Sequence, residues 1–288
     1  MKLTIKKDII ITNSETKEFL ADAYCLDTSE QKPLLLFAHG YKGYKDWGAW
    51  DLMAKKFAEA GIYFVKFNFS HNGTTLDQPT EFADLESFGE NNFTKEMSDY
   101  QAVINYFAAD PKVNPAQIAV MGHSRGGGIT LLQAFEDERI KLLIVLAGVS
   151  NFKYRFPAQD RFEDWKSTGV MYSENKRTHQ QMPHYFQFYE DFIKNESRFD
   201  IQFAAQHLEK PFLIVQGTND DAVKDKEATL LKEWCKTSEL VMIENANHTF
   251  GAREPWPENQ VPQDLETATA SVINFIKNNF NEGNMNNN

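Results

Sequence analysis

The stretch that decides the reading is "MGHSRGGG", residues 121–128. A serine stands among four glycines, between the apolar runs "QIAVM" and "ITLLQAF". Glycines at such a junction either bare backbone N–H groups to a phosphate or permit a sharp turn that pushes one side chain outward. The phosphate reading fails in detail. The stretch has neither the lysine of G-x-x-x-x-G-K-[ST] nor the G-x-G-x-x-G spacing, and it lies too deep in the chain to open a first βαβ unit. A turn that exposes Ser124 is left.

Working outward, the run that feeds this turn is one of six. The others are "PLLLFAHG" (33–40), "IYFVKFNFS" (62–70), "KLLIVLAGVS" (141–150), "KPFLIVQGTND" (210–220) and "ELVMIENANH" (239–248). They do not alternate, which is how strands buried on both faces read. Residues 3–12 and 18–26 do alternate and flank "NSETK", so they predict an antiparallel hairpin. Helical patterns fill the gaps. Residues 46–60 put Trp50, Met53, Ala54 and Phe57 on one face, and residues 92–109 do the same with Phe93, Met97, Tyr100, Ile104 and Phe107. The order predicts an α/β fold: a mostly parallel, doubly wound sheet of about eight strands with an N-terminal hairpin, in one domain over 1–280. The polar end, 281–288, reads as a disordered tail.

One segment breaks the rhythm. Residues 150–203 hold thirteen aromatics in 54 positions, against 13% for the chain. It is too long for a connection. Residues 151–208, after the sixth strand, are therefore expected to form an inserted aromatic-rich cap. "GVMYSENKRTHQQM" suggests a hairpin and "PHYFQFYEDFIKN" a helix opened by Pro183. The plainer alternative is a surface helix pair with its own core.

Composition narrows the partners. A formal net charge of -11 argues against nucleic acid or an anionic membrane surface. Cys25 and Cys235 are too sparse for a disulfide framework or a zinc site. The start lacks the apolar segment of a signal peptide, and no apolar run reaches the roughly 18 residues of a membrane span, so a cytoplasmic protein is expected. Homodimerisation stays open.

Parallel sheets bind ligands at the carboxyl ends of their strands. There this chain places "HGYKGYKDWG", "GHSRGG", "GTNDDAV" and "ENANHTF". A serine, an aspartate and a histidine would meet at one edge. A serine hydroxyl is a poor nucleophile until a base takes its proton; histidine can do so near neutral pH, and a carboxylate fixes its tautomer. "NDD" leaves Asp220 and Asp221 both available.

The chain resembles the α/β-hydrolase superfamily. "GHSRG" (122–126) matches its G-x-S-x-G nucleophile elbow, the Ser–Asp–His order is that family's order, and the likeness runs from "LLLFAHGYKG" through "NANHTF". Within it, single-domain esterases, cinnamoyl esterases among them, and serine-aminopeptidase-like hydrolases are similar. The resemblance implies Ser124 as nucleophile, His248 as base, and Asp220 as acid, because the carboxylate falls three residues after Gly217 and three before Val223. It implies the backbone N–H groups of Tyr41 and Arg125 as oxyanion donors, with no cofactor and no metal. His39, His71 and His123 are open to substrate contact, though each reads first as a packing or loop-bracing residue. Lys42 and Lys45, default solvated lysines, would draw an anionic substrate if they faced it. His179, His184 and His207 read as structural.

The expected activity is hydrolysis of carboxylic esters with small aromatic or medium-chain acyl groups. Two alternatives remain. One is an aminopeptidase-type serine peptidase on short peptides, which would need an acid such as Glu163, Asp164, Glu174 or Glu190 to hold the free amine. The other is an idle binding module, for which some member of the serine, aspartate and histidine set should be missing; none is.

Overall fold

A computed structural model describes residues 2–282. The N-terminal strands β1 (Leu3–Ile11) and β2 (Phe19–Leu26) pair antiparallel. Next come β3 (Lys32–Ala38), α1 (Trp50–Glu59), β4 (Tyr63–Phe67), the short α2 (Leu85–Gly89) and α3 (Phe93–Ala108). Then follow β5 (Val113–His123), α4 (Arg125–Glu136) and β6 (Ile140–Leu146). An insertion holds α5 (Asp160–Thr168), β7 (Val170–Glu174), β8 (Gln181–Tyr185), α6 (Gln187–Lys194) and α7 (Ile201–Gln206). The chain returns through β9 (Phe212–Gly217), α8 (Asp225–Trp234), β10 (Ser238–Ile243) and α9 (Gln263–Glu282).

Eight strands form one sheet in the order β1-β2-β4-β3-β5-β6-β9-β10. Only β2 runs against its neighbours; from β4 to β10 all pairings are parallel. This is the mostly parallel, hairpin-flanked sheet that the sequence predicts. The reason the strands do not alternate is visible in the core. Leu34, Leu36 and Ala38 pack on one face with α3, α4, α7 and α8, while Leu35 and Phe37 pack on the other with α1 and α9. Successive side chains point to opposite faces and both faces are covered, so the central positions of these strands are mostly apolar.

Lys66 is the exception within β4. It is fully buried and lies opposite Asp22 of β2, with 3.0 Å between Nζ and Oδ2. Lys45, also buried, reaches Asp22 at 2.9 Å and Asp46 at 2.6 Å. Lys66 also meets Asp46, and Lys7 meets Asp51. Burying unpaired charges is costly, so these ions come in clusters. They clamp the hairpin to the start of α1. They also shorten that helix relative to its sequence pattern. Asp46 is held in the cluster and Gly48 turns at φ 59°, so the helix starts at Trp50 rather than at 46.

The insertion departs from β6 and returns at β9, two adjacent strands. Its hairpin forms over the expected residues, with Tyr172 opposite Pro183. Pro183 is thus inside β8 and does not open the following helix, which starts at Gln187. Proline lacks an N–H, and an edge strand tolerates it where no ladder bond is required. The insertion docks on α2 and α3. Tyr185 donates to Glu86 (2.6 Å), Thr94 to Asp191 (2.5 Å) and Asn92 to Gln187 (2.9 Å). No helix among the described residues is long and apolar enough to cross a membrane. Of the tail expected at 281–288, the first two residues continue α9 and the rest lie outside the described residues.

Candidate active site

Ser124 sits between β5 and α4 with φ 56° and ψ −124°, a conformation a non-glycine residue adopts only when its surroundings impose it. Its N–H donates to the Leu146 carbonyl (3.0 Å), and its own carbonyl accepts from Gly127 (2.9 Å) and Val149 (3.3 Å). The flanking glycines are required by contact. A Cβ on Gly122 would lie 2.4 Å from the Gly126 carbonyl oxygen, and one on Gly126 would lie 2.3 Å from that of His39. Both obstacles are backbone and cannot move aside.

Two strand ends bring the partners. His248 follows β10 and Asp220 follows β9. The Ser124 hydroxyl donates to His248 Nε2 at 3.0 Å, and His248 Nδ1 donates to Asp220 Oδ2 at 2.8 Å. Asp220 is buried and cradled: Oδ1 accepts from the N–H groups of Ala222 and Val223, both at 2.8 Å, and Oδ2 accepts from Gln216 Nε2 at 3.1 Å. Burial pushes its carboxyl up, but the hydrogen bond and charge of His248 and the two N–H groups outweigh it and hold the group below the usual carboxylate range. Asp221 points away. Its side chain is 96% exposed and pairs with Lys224.

The loop after β3 runs directly beside the serine, since a Cβ on Gly40 would stand 2.9 Å from that of Ser124. Tyr41 follows Gly40, and Arg125 opens α4. Among the described residues neither backbone N–H donates to another backbone group. Both side chains are anchored. The Arg125 guanidinium lies 5.0 Å over the Tyr41 ring and meets the buried carboxylate of Glu96. The Tyr41 hydroxyl donates to His184 Nε2 at 2.6 Å.

A cavity of about 660 Å³ opens on Ser124 and His248. Its body is aromatic, with Phe93, Phe152, Phe156, Trp165 and Phe188, and its polar wall holds Arg125, Arg155, Arg161, Ser173 and His184. No acidic side chain lines it among the described residues. The three histidines offered as substrate contacts from the sequence do not line it either, because each is used inside the scaffold. His39 Nδ1 donates to the Gly40 carbonyl at 2.8 Å and Nε2 accepts from the Phe69 N–H at 3.3 Å. His123 Nε2 donates to the His248 carbonyl at 2.8 Å, and His71 Nδ1 meets Ser70 Oγ at 2.7 Å. Burial pushes His39 and His71 down to about 4 and His123 to about 3, so all three are neutral supports. Lys45 is locked in the ion cluster, and Lys42 donates to Ser173 Oγ (2.9 Å) and the Glu174 carbonyl (2.7 Å).

His184 reads as structural in sequence, yet it belongs to the cavity wall. So do Arg155 and Arg161, which carry no motif. Nothing local marks them, because their place follows from how the insertion docks.

The model of the prolyl oligopeptidase family matches residues 54–282. The chain is similar to the quorum-quenching protein AidA of Acinetobacter baumannii, 26% identical over 41% of this chain and 36% of that protein. The match thus spans about a third of that relative's length. Among solved structures it is similar to Est1E from Butyrivibrio proteoclasticus with ferulic acid bound. That likeness has a TM-score of 0.68 and 18% identity, over 93% of this chain and 97% of that one. The esterase domain of a Rhodothermus marinus protein aligns with TM-score 0.67 and 17% identity, over 96% of this chain and 99% of that one. At such identity these two establish a shared fold, the α/β-hydrolase fold.

Proposed function

The chain belongs to the prolyl oligopeptidase family and is a serine hydrolase of α/β-hydrolase fold; within that class we propose that it cleaves carboxylic esters with aromatic or medium-chain acyl groups. The observation that carries this reading is the hydrogen-bonded line from Ser124 Oγ through His248 to Asp220, opening on an aromatic cavity.

On this reading His248 Nε2 takes the Ser124 proton as Oγ attacks the acyl carbon. The carbonyl oxygen becomes an oxyanion and accepts from the N–H groups of Tyr41 and Arg125, the first helical donor of α4. Asp220 keeps Nδ1 protonated and stabilises the imidazolium. His248 then gives its proton to the leaving alcohol, leaving an acyl group on Ser124. A water activated by His248 releases the acid and restores the serine. All these groups belong to the chain itself. The insertion over 151–208 acts as a cap that supplies the apolar wall and keeps bulk water from the acyl group.

The aromatic acyl assignment is supported by the ring-lined cavity, whose size suits a ligand of tens of atoms. It is in line with the ferulic acid held by the structural neighbour Est1E. The family's name favours a second reading, a peptidase acting on short peptides. Glu163, Asp164, Glu174 and Glu190, the acids that would hold a free amine, are absent from the cavity lining, so the ester is preferred.

Hydrolysis of p-nitrophenyl acyl esters tests the proposal, with aminoacyl anilides as the competing substrates. Ester turnover lost in Ser124→Ala, together with labelling of the wild type by a fluorophosphonate, is expected. Ester turnover retained by Ser124→Ala would overturn it, and anilide turnover exceeding ester turnover would replace it with the peptidase.

A further inference from the structure

The cavity opposes the chain in charge. The protein carries a formal net charge of -11, yet three arginines and no carboxylate line the space around Ser124 among the described residues. Two of the arginines are matched. Arg125 meets Glu96, and Arg155 meets Glu227 and donates to the Ala222 carbonyl at 3.2 Å. Arg161, in the first turn of α5, lines the same cavity and makes no ion pair with a described carboxylate.

Its charge is felt inside. Burial, then the charges of Arg125, Lys42 and Arg161, push the His184 imidazole down to about 3, so the ring that accepts from Tyr41 stays neutral. Three cations thus line this wall, one of them uncommitted, beside Phe156, Trp165 and Met171. Arg161 itself is exposed, so solvent screens part of its charge and a bound carboxylate gains a modest, salt-sensitive amount from it. A guanidinium fork matches a planar carboxylate in two bonds.

We propose that the preferred substrate is an ester whose acyl part carries a carboxylate remote from the scissile carbonyl, held by Arg161 while that carbonyl meets Ser124. This deepens the esterase reading and rests on it. The same wall repels a free amine, which sets it against an aminopeptidase substrate.

The test compares p-nitrophenyl monoesters of adipic and suberic acids with the same compounds capped as methyl esters. The readout is the ratio of kcat/KM for the free acid over its capped partner, in wild type, Arg161→Gln and Arg161→Glu. The wild type is expected to prefer the free acid by about tenfold at low salt, as befits one partly exposed charge-assisted pair, and less as salt screens it. Arg161→Gln should bring the ratio to about one and Arg161→Glu should invert it. A ratio that is the same in all three proteins overturns the proposal. Ser124→Ala, run alongside, separates the two readings. Turnover surviving in it sinks the serine esterase. Ser124-dependent turnover with a ratio indifferent to Arg161 sinks only the anionic substrate.

Discussion

The Arg125 guanidinium lies 5.0 Å over the Tyr41 ring, so the two residues whose N–H groups flank Ser124 are tied to each other through their side chains. Glu96 holds the stack from below. It is 1% exposed, takes the Arg125 guanidinium and an Asn91 Nδ2 bond of 2.8 Å on one oxygen, and leaves the other without a partner. A carboxylate buried this way is retained only because the arginine compensates it. On the proposed mechanism these N–H groups are the oxyanion donors; one such donor is typically worth about a hundredfold or more in kcat, and displacing it should forfeit part of that. Glu96→Gln is therefore expected to lower kcat for p-nitrophenyl butyrate about tenfold with KM within about twofold. Steady-state kinetics on the folded variant decide it. An unchanged kcat would remove Glu96 as a positioning residue.

The two adjacent aspartates should separate cleanly. Asp220 reaches the His248 ring at 2.8 Å and Asp221 is in solvent. Asp220→Asn preserves shape but reverses the hydrogen-bond preference that fixes the histidine tautomer, so kcat should fall about a thousandfold or more. Asp221→Asn should stay within about twofold of wild type, since removing an exposed i,i+3 pair changes little. Comparable losses in both variants would contradict the geometry.

Depression of the Asp220 carboxyl sets the form of the acid limb. His248 and the N–H groups of Val223 and Ala222 keep Asp220 ionised as pH falls below the ordinary carboxylate value of about 3.9. Asp220 then adds no proton of its own to the acid limb. The logarithm of kcat/KM against pH should fall on the acid side with a slope of one proton. A slope approaching two would mean that Asp220 titrates together with the base, contrary to its cradle of donors.

The mostly parallel sheet of about eight strands is legible in the sequence because sheet burial on both faces writes itself as unbroken apolar runs, each closed by the small and polar residues of a strand end. Ser124 and His248 can be named for the same reason, since each follows such a run; the run before "NDD" leaves Asp220 and Asp221 open, the family resemblance favours Asp220, and the structure brings Ser124, His248 and Asp220 into contact. The elbow glycines are readable as a motif, but their cause is a close approach of backbone, His39 to Gly126, from a segment more than eighty residues earlier in the chain. What stays illegible depends on docking. His184, Arg155 and Arg161 sit in short elements whose pattern carries no information about which wall they form. Lys66 within "YFVKF" looks like a flaw in a buried strand, until the antiparallel register of β2 sets Asp22 opposite it. Pro183 misleads because a proline that starts a helix and one on a strand edge look alike in isolation.

The ion cluster makes a last prediction about stability. Asp46 is partly buried, which raises its carboxyl, but the charges of Lys66 and Lys45 outweigh burial and hold it far below the ordinary range. An acid whose folded value lies below its unfolded value adds stability that is full above about pH 4 and fades as pH falls toward the folded value. Asp46→Asn removes that contribution and leaves the buried Lys45 and Lys66 with Asp22 as their remaining fully buried counterion. Breaking one member of a buried ion set costs about 3 kcal/mol. For a chain of this size that corresponds to a Tm lower by roughly 6–12 °C at pH 7. Thermal unfolding at pH 7, 5 and 3 checks both the size and the sign. The gap between wild type and variant should be constant from pH 7 to 5 and narrower at pH 3. A gap that is absent at pH 7, or that widens on acidification, would mean that Asp46 does not stabilise the hairpin clamp as an anion.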